Sequence, residues 1–187
     1  MSTECVTGLV LAAGGSRRLG QAKQLLPYRG RPLLDHVLDV ARACAFDQLV
    51  CAVADELPGV DFGGFEVVEN PRRGEGCSSS IAVALEVVDA DVLVLLLGDQ
   101  PGVRPQTVDA LLGARGGARF AVCHYEDGRG HPFAFGRDAF GELATMHGDK
   151  AVWKLLDRFA EEVVEVPIAG RVPIDVDTWA DYEALAG

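Results

Sequence analysis

A glycine-rich, basic segment lies near the start of the chain, between Leu11 and Gly20. Glycines let the backbone approach an anion closely, and free N–H groups at a loop or helix start present the positive ends of dipoles. Arg17 and Arg18, followed by Lys23, add mobile positive charge. The segment predicts a loop that binds a polyphosphate; the alternative is a turn whose arginines face solvent.

The spacing of this segment differs from that of two common phosphate-binding loops. A Walker loop ends in Gly-Lys-Ser or Gly-Lys-Thr, whereas here Gly20 is followed by Gln21. A dinucleotide fingerprint needs G-x-G-x-x-G, which glycines at positions 14, 15 and 20 do not form. The sequence therefore disfavours a P-loop ATPase and an NAD-dependent oxidoreductase. Arg72 and Arg73 form a second, weaker basic cluster.

Three aspartates are placed where they could hold a metal ion. Asp99 follows the apolar run Val92–Leu97, and ligands of parallel sheets bind beyond the carboxyl ends of strands. Asp175 and Asp177 project to the same face of an extended segment, and such like charges favour a bound cation. Hard cations such as Mg²⁺, or Mn²⁺, take oxygen ligands. The alternatives are a turn aspartate before Pro101 and a helix cap at Asp177.

A metal ion between these acids and the basic loop would offset charge on a leaving pyrophosphate and align the α-phosphate of a nucleotide. This chemistry is nucleotidyl transfer. It requires no protein nucleophile, in agreement with the lack of a G-x-S-x-G motif in the sequence.

Composition narrows the class of protein further. With 187 residues, of which 49% are hydrophobic, the chain can close one substantial core, so we expect a single domain over 1–187. Its net charge of −11 disfavours nucleic acid and anionic membranes as partners. The five cysteines form no C-x-x-C pair, which predicts reduced thiols and a cytoplasmic location. Neither an export signal nor a membrane-spanning run is predicted.

Three apolar runs indicate strands covered on both faces, as in a parallel sheet: Gly8–Ala13, Leu49–Ala54 and Val92–Leu97. Helices are expected between them, the second beginning after Ser78, Ser79 and Ser80, which can cap it. This alternation predicts an α/β fold, Rossmann-like, with three α/β/α layers around a mostly parallel sheet.

The second half predicts a more mixed arrangement with a small hairpin extension. Strands at Phe120–His124 and Pro132–Phe135 would be joined by a polar turn. Further expected elements are helices at Thr107–Leu112, Ala151–Phe159 and Trp179–Leu185, and strands at Val163–Val166 and Val172–Val176. His131 lies after the polar turn and either reaches an acceptor substrate or serves as a structural turn residue. Cys77 either lines a site or is buried filler.

Several motifs, in order along nearly the whole chain, resemble the MobA/MocA-like nucleotidyltransferases. They are Leu-Ala-Ala-Gly-x-Ser-x-Arg-Leu-Gly-x-x-Lys from Leu11, Asn70-Pro71, Gly98-Asp99-Gln100-Pro101, Gly130-His131-Pro132 and Asp175-Val176-Asp177-Thr178. The chain looks most similar to the molybdenum cofactor cytidylyltransferases, which transfer CMP from CTP to molybdopterin. The resemblance implies the nucleotide-diphospho-sugar transferase fold.

The resemblance also implies roles for individual residues. Arg18, Lys23 and Asp99 would be catalytic, with the first two on the phosphates. Asp99 and Asp177 would bind Mg²⁺, with Asp175 as the alternate second ligand. The nucleotide would be held by Ala12, Ala13, Gly14, Gly15, Ser16 and Gly98, with Asn70 and Ser79 or Ser80 near the base and ribose. The acceptor would be held by Gly130, His131, Pro132 and Asp149.

Two features of the resemblance bear on the substrates. Ala13 favours CTP, because guanylyl members carry glycine there. The related Gly-Asp-x-Gly-Ala-Arg segment reads Gly148 to Trp153 here and lacks the arginine. The resemblance still implies molybdopterin as the acceptor, and the missing arginine leaves a sugar phosphate or other small phosphate as the alternative. A different class is a non-catalytic carrier that delivers a cofactor to a molybdoenzyme or its maturation chaperone.

Overall fold

The computed structural model describes residues 4–16 and 18–186. Strands and helices alternate through most of this part of the chain. The strands are β1 (Val6–Ala12), β2 (Pro27–Tyr28), β3 (Arg31–Pro32), β4 (Gln48–Val53), β5 (Glu66–Glu69), β6 (Val92–Leu97), β7 (Phe120–Tyr125), β8 (Gly128–Gly136) and β9 (Val163–Pro167). The helices are α1 (Leu33–Ala43), α2 (Cys77–Leu85), α3 (Pro105–Arg115), α4 (Phe140–Thr145), α5 (Ala151–Arg158) and α6 (Trp179–Ala186).

Seven strands form one sheet in the order β5-β4-β1-β6-β8-β7-β9, and β2 pairs with β3 separately. β5, β4, β1 and β6 are mutually parallel, and β7 is parallel to β9. β8 runs antiparallel to both of its neighbours, β6 and β7. The carboxyl ends of β1, β4 and β6 therefore meet at one edge of the sheet, where the glycine-rich segment and Asp99 follow.

The sheet separates two apolar layers, as its central strand shows. Val94 and Leu96 of β6 pack in the cluster that includes α1 and α3, whereas Leu93 and Leu95 pack in the cluster that includes α2, α4 and α5. This alternation follows from the two-residue period of a strand. A strand buried on both faces needs an unbroken apolar run, which explains the composition of β6.

The predicted fold class is confirmed: the sheet is mostly parallel and lies between two helical layers. The strands predicted at Leu49–Ala54 and Val92–Leu97 correspond to β4 and β6. The hairpin of β7 and β8 continues the main sheet, and its turn is shorter than expected because β8 already begins at Gly128.

Two local expectations were wrong, and one strand was missed. Ser78, Ser79 and Ser80 lie inside α2, which begins at Cys77 after Gly76 turns the chain with a φ of 95°. No strand forms at Val172–Val176; this described segment crosses the edge of the sheet, and the Val176 N–H donates to the Asp99 carbonyl over 3.1 Å. Strand β5 was not predicted.

Among the described residues, every helix is too short or too polar to cross a bilayer.

Candidate nucleotide and metal site

The glycine-rich loop begins at the end of β1, and residues that follow it in the sequence hold it by hydrogen bonds. Gln24 is buried and donates from Nε2 to the carbonyls of Ala12 over 2.6 Å and Gly14 over 3.3 Å. The Lys23 N–H donates to Ser16 Oγ over 2.9 Å, and Ser16 has a φ of 38°. These hydrogen bonds hold the loop at Ala12, Gly14 and Ser16, and its three glycines line a cavity.

A cleft with two lobes lies along this loop. The first lobe has a volume of about 520 Å³ and lies between the loop and the segment after β4, which includes Asp55 and Leu57. The second has a volume of about 290 Å³ and lies between the loop, the end of β6 and the start of α2. The lobes are adjacent, because Gly14, Gly15, Gln24 and Arg73 line both of them.

Lys23, Asp99 and Asp177 meet in the second lobe. The Lys23 ammonium pairs with the carboxylate of Asp99 and lies 2.7 Å from Oδ1 of Asp177. The side chains of Lys23 and Asp99 are only 10% and 14% exposed, whereas that of Asp177 is 58% exposed, so water weakens the second pair more. Burial opposes the charged ammonium, but the charge of Asp99 and the hydrogen bonds to both carboxylates raise the pKa of Lys23.

Asp175 lies beside these groups and lines the same lobe. Its residue is exposed overall, yet desolvation of its carboxyl and the charges of Asp99 and Asp177 raise the pKa of Asp175 to about 6. Gln100 is buried and donates from Nε2 to Asp175 Oδ1 over 2.6 Å and to the Pro173 carbonyl over 2.8 Å. The segment predicted as a strand is thus fixed beside Asp99 by hydrogen bonds.

The carboxylates of this lobe fit a divalent ion whose coordination is completed by a substrate. Two carboxylates, from Asp99 and Asp177, already converge on one cationic atom. Across residues 4–16 and 18–186, no group of three or more His, Cys, Asp or Glu side chains is arranged to hold a metal. Mg²⁺ commonly takes one or two protein carboxylates and fills its other positions with water and substrate phosphates.

Asn70 and Ser79 do not line either lobe within the described chain. Asn70 is fully buried and donates from Nδ2 to Ser79 Oγ over 2.9 Å and to Ser80 Oγ over 2.8 Å. Its Oδ1 accepts from the Arg72 N–H over 2.9 Å. Ser80 alone of the three borders the second lobe. The observed contacts of Asn70 and Ser79 join β5 to α2.

Asp149 lines the second lobe and lies beside the first residue of α2. Its Oδ1 accepts from the Cys77 N–H over 3.2 Å, and the neighbouring Gly148 N–H donates to Ser78 Oγ over 2.8 Å. Cys77 also lines this lobe. Burial and the charge of Asp149 raise the pKa of the Cys77 thiol to about 11, so it is neutral at physiological pH.

Other predicted residues do not line either lobe within the described part of the chain. Arg18 is exposed, and Arg17 lies outside the described residues. Neither Arg18 nor the Gly130-His131-Pro132 segment is among the residues described here that line the two lobes. His131 stacks on Phe133 at 4.0 Å between ring centroids, and burial lowers its pKa to about 3. A neutral imidazole packed in this way is a poor ligand for phosphate.

For two residues that line the cleft, the sequence contained little indication of a place in the site. Arg73 lines both lobes and donates from one guanidinium nitrogen to the Ala54 carbonyl over 3.1 Å and to Asp55 over 2.8 Å. Its signal was the Arg72-Arg73 pair. Gln24 had no signal beyond its place directly after Lys23, because its role depends on the carbonyls that the loop turns inward.

A mostly parallel sheet with a glycine-rich loop and facing carboxylates at its carboxyl edge defines a nucleotide-binding α/β protein. Comparisons with known proteins agree. A sequence profile of the MobA-like NTP transferase domain matches residues 8–163. The chain belongs to the MobA-like family of nucleotidyltransferases.

Two relatives and one solved protein illustrate the range of this similarity. The purine catabolism protein PucB of Bacillus subtilis is 30% identical, over 99% of this chain and 98% of PucB. Nicotine blue oxidoreductase of Paenarthrobacter nicotinovorans is 33% identical over 78% of each chain. Crystalline Rv0371c of Mycobacterium tuberculosis is 45% identical over 99% of each chain, with a TM-score of 0.92. A manganese complex of Rv0371c aligns over 98% of each chain with a TM-score of 0.81.

Proposed function

We propose that this protein is a divalent-metal-dependent cytidylyltransferase that transfers CMP from CTP to a phosphorylated acceptor, with molybdopterin as the expected acceptor. The observation that carries the proposal is the meeting of Lys23, Asp99 and Asp177 in a cleft bordered by the glycine-rich loop. One cation and two carboxylates beside a phosphate-binding turn are the groups that a metal-bound triphosphate requires.

The two lobes suggest where each substrate binds. The first lobe is the larger and is bordered by Ala12, Ser16 and Leu57, so it suits the base and ribose. The triphosphate would follow the glycines that both lobes share, within reach of Lys23 and Arg73. The acceptor would occupy the second lobe. Asp149 borders this lobe and is the predicted acceptor contact there, whereas His131 is not among the described residues that line it.

The reaction exchanges one phosphate bond for another. An oxygen of the acceptor phosphate attacks the α-phosphorus, the bond between the α-phosphorus and the bridging oxygen to the β-phosphorus breaks, and pyrophosphate leaves. Lys23 and Arg73 would bind the charge that moves onto pyrophosphate, and the loop N–H groups would hold the α-phosphate in line.

A Mg²⁺ or Mn²⁺ ion held by Asp99 and Asp177, with Asp175 as the alternate to Asp177, would neutralise negative charge on the phosphates. Support for a divalent ion comes from the two converging carboxylates and from the existence of a manganese complex of Rv0371c. The free thiols at Cys44, Cys51 and Cys123 are buried, which suits a reducing compartment, and we propose the cytoplasm.

The proposal is tested by pyrophosphate release. The protein is incubated with CTP or GTP, with Mg²⁺ or Mn²⁺, and with molybdopterin or a sugar phosphate. We expect release to be fastest with CTP and molybdopterin, and to fall at least ~10²-fold in Asp99→Ala. Asp157→Ala, an exposed aspartate of α5, is the matched control and should retain the wild-type rate.

Two outcomes would replace the proposal. Calorimetric binding of CTP without any product over long incubation would support a cofactor carrier that acts on a molybdoenzyme or its maturation chaperone. Tight NAD(P)H binding with no pyrophosphate release would support an oxidoreductase, a function suggested by the name of the Paenarthrobacter relative.

A further inference from the structure

The Lys23 ammonium occupies the place between carboxylates where a divalent cation would bind. It contacts both Asp99 and Asp177, and Asp175 adds negative charge beside them. A divalent ion and an ammonium cannot share this position, because their like charges repel at contact distance. The two cations therefore compete for the same pair of carboxylates.

We propose that Lys23 acts as a placeholder that keeps the metal site closed until a nucleoside triphosphate binds, an inference that rests on the proposed function. A metal ion that arrives alone must displace Lys23 and leave its ammonium without a partner in a largely buried position, which is costly. A triphosphate on the glycine-rich loop offers the ammonium new oxygen partners, so Asp99 and Asp177 are released for the metal.

The position of Lys23 allows this exchange without movement of the backbone. Its N–H is anchored to Ser16 Oγ over 2.9 Å. Its stem passes close to the loop, since a Cβ added at Gly14 would lie 3.4 Å from the Lys23 Cε atom. The ammonium is thus at the end of a flexible side chain that runs beside the loop. Rotation of that side chain would transfer it from the carboxylates to a phosphate.

The placeholder couples the two ligands. When the triphosphate draws Lys23 away from the carboxylates, the affinity of Asp99 and Asp177 for the metal rises. Linkage requires the bound metal to raise the affinity for the triphosphate by the same factor. The protein would bind metal and triphosphate as a unit and bind free metal weakly. Free metal would then not fill the site ahead of the substrate.

The test measures Mn²⁺ binding by electron paramagnetic resonance with Mn²⁺ alone and no nucleotide. Lys23→Met removes the competing ammonium, so we expect it to bind Mn²⁺ at least about tenfold more tightly than wild type. Lys154→Met, which removes the same charge from an exposed position on α5, should bind like wild type. Equal Mn²⁺ affinity in Lys23→Met and wild type would overturn the placeholder.

A second measurement guards against misfolding of Lys23→Met. Its unpaired carboxylates should make its thermal unfolding temperature rise more on addition of Mn²⁺ than that of wild type, and Lys23→Arg should respond like wild type. A Lys23→Met protein that Mn²⁺ does not stabilise would contradict the inference. If wild type releases pyrophosphate while these shifts are missing, the placeholder fails and the proposed function stands. If wild type releases no pyrophosphate with any nucleotide, the proposed function fails, whatever Mn²⁺ does to Lys23→Met.

Discussion

Asn70 joins the end of β5 to the first turn of α2 through its side chain. In Asn70→Ala, the Ser79 and Ser80 hydroxyls lose the amide donor and the Arg72 N–H loses its acceptor, while Ser79 keeps its bonds to the Arg72 and Gly76 carbonyls. The free energy of unfolding should fall by about 2–4 kcal/mol. Urea unfolding measures this loss. Asn70→Asp keeps an acceptor for the Arg72 N–H but places a carboxylate in a fully buried position where an amide donated, so it should also lower stability. A fall in CTP affinity with unchanged stability would instead place Asn70 on the nucleotide.

His131 predicts a pH dependence of stability. Burial lowers its pKa from 6.5 to about 3 in the folded protein, so the unfolded chain binds this proton more readily. The contribution of the neutral imidazole to the free energy of unfolding is fully present above pH 6.5 and is lost progressively as the pH falls toward 3. Urea unfolding of His131→Gln should show a shallower loss over this range. The exposed His147→Gln should keep the wild-type slope; identical slopes in all three would refute the burial argument.

At the scale of residues, the sequence predicted the pieces of the site better than their contacts. Asp99 and Lys23 were both assigned to it, from a strand end and from a basic loop. Their direct pairing was not predicted, because it depends on how the loop after β1 folds back over the end of β6. The Asn70 network was not predicted either, since an Asn-Pro motif does not indicate which neighbours the amide faces.

Gly98 keeps two strands close at the edge that carries the site. A Cβ at this position would lie 2.9 Å from the Leu11 carbonyl oxygen and 3.0 Å from Leu34 Cδ1. Gly98→Ala should therefore separate the ends of β1 and β6, lower stability by about 1–3 kcal/mol and raise the KM for CTP. Urea unfolding and steady-state kinetics measure the two effects.

Gly113 is the matched control for that substitution. It lies within α3 and has open space where a Cβ would stand. Gly113→Ala should stabilise the protein by up to about 1 kcal/mol, because alanine is the better helix former, and should leave the KM unchanged. Equal effects of the two substitutions would contradict the role assigned to Gly98.

At the scale of elements, uniform apolar runs were predicted well and short polar elements were not. β6 reads as Val-Leu-Val-Leu-Leu-Leu and is buried on nearly its whole length. β5 reads Glu-Val-Val-Glu and lies at the edge of the sheet, mostly exposed, so its sequence carries little strand signal. The segment Val172–Val176 has strand-like residues, but its hydrogen bonds go to Asp99, Gln100 and Asp127 and not to a neighbouring strand.

Ligand binding to the whole molecule should raise its stability by mass action. Mg²⁺ with CTP at about 100 times its dissociation constant adds about 2.7 kcal/mol, or roughly 5–10 °C in unfolding temperature for a chain of this size. Differential scanning fluorimetry measures this shift. NAD⁺ at the same concentration should cause none. A shift with NAD⁺ and none with CTP would contradict the assignment of the cleft.

The global arrangement was predictable because every strong signal agreed with one topology. Alternating strands and helices required crossovers that bring the ends of β1 and β6 to the same edge. The net charge of −11 further implies that an anionic substrate is bound by local groups and not by the overall field of the molecule. Acceptor identity was less accessible, because Ala151, Val152 and Trp153 depart from the related motif while Asp149 before them agrees with it.

The most direct test follows a label through one turnover. CTP labelled at either the α-phosphate or the γ-phosphate is mixed with Mg²⁺, molybdopterin and excess protein, and the products are separated. We expect the α-label to move to the acceptor and the γ-label to leave as pyrophosphate, and we expect neither with Asp99→Ala. Release of the γ-label as inorganic phosphate, or retention of both labels on CTP with every metal and acceptor, would contradict nucleotidyl transfer at this site.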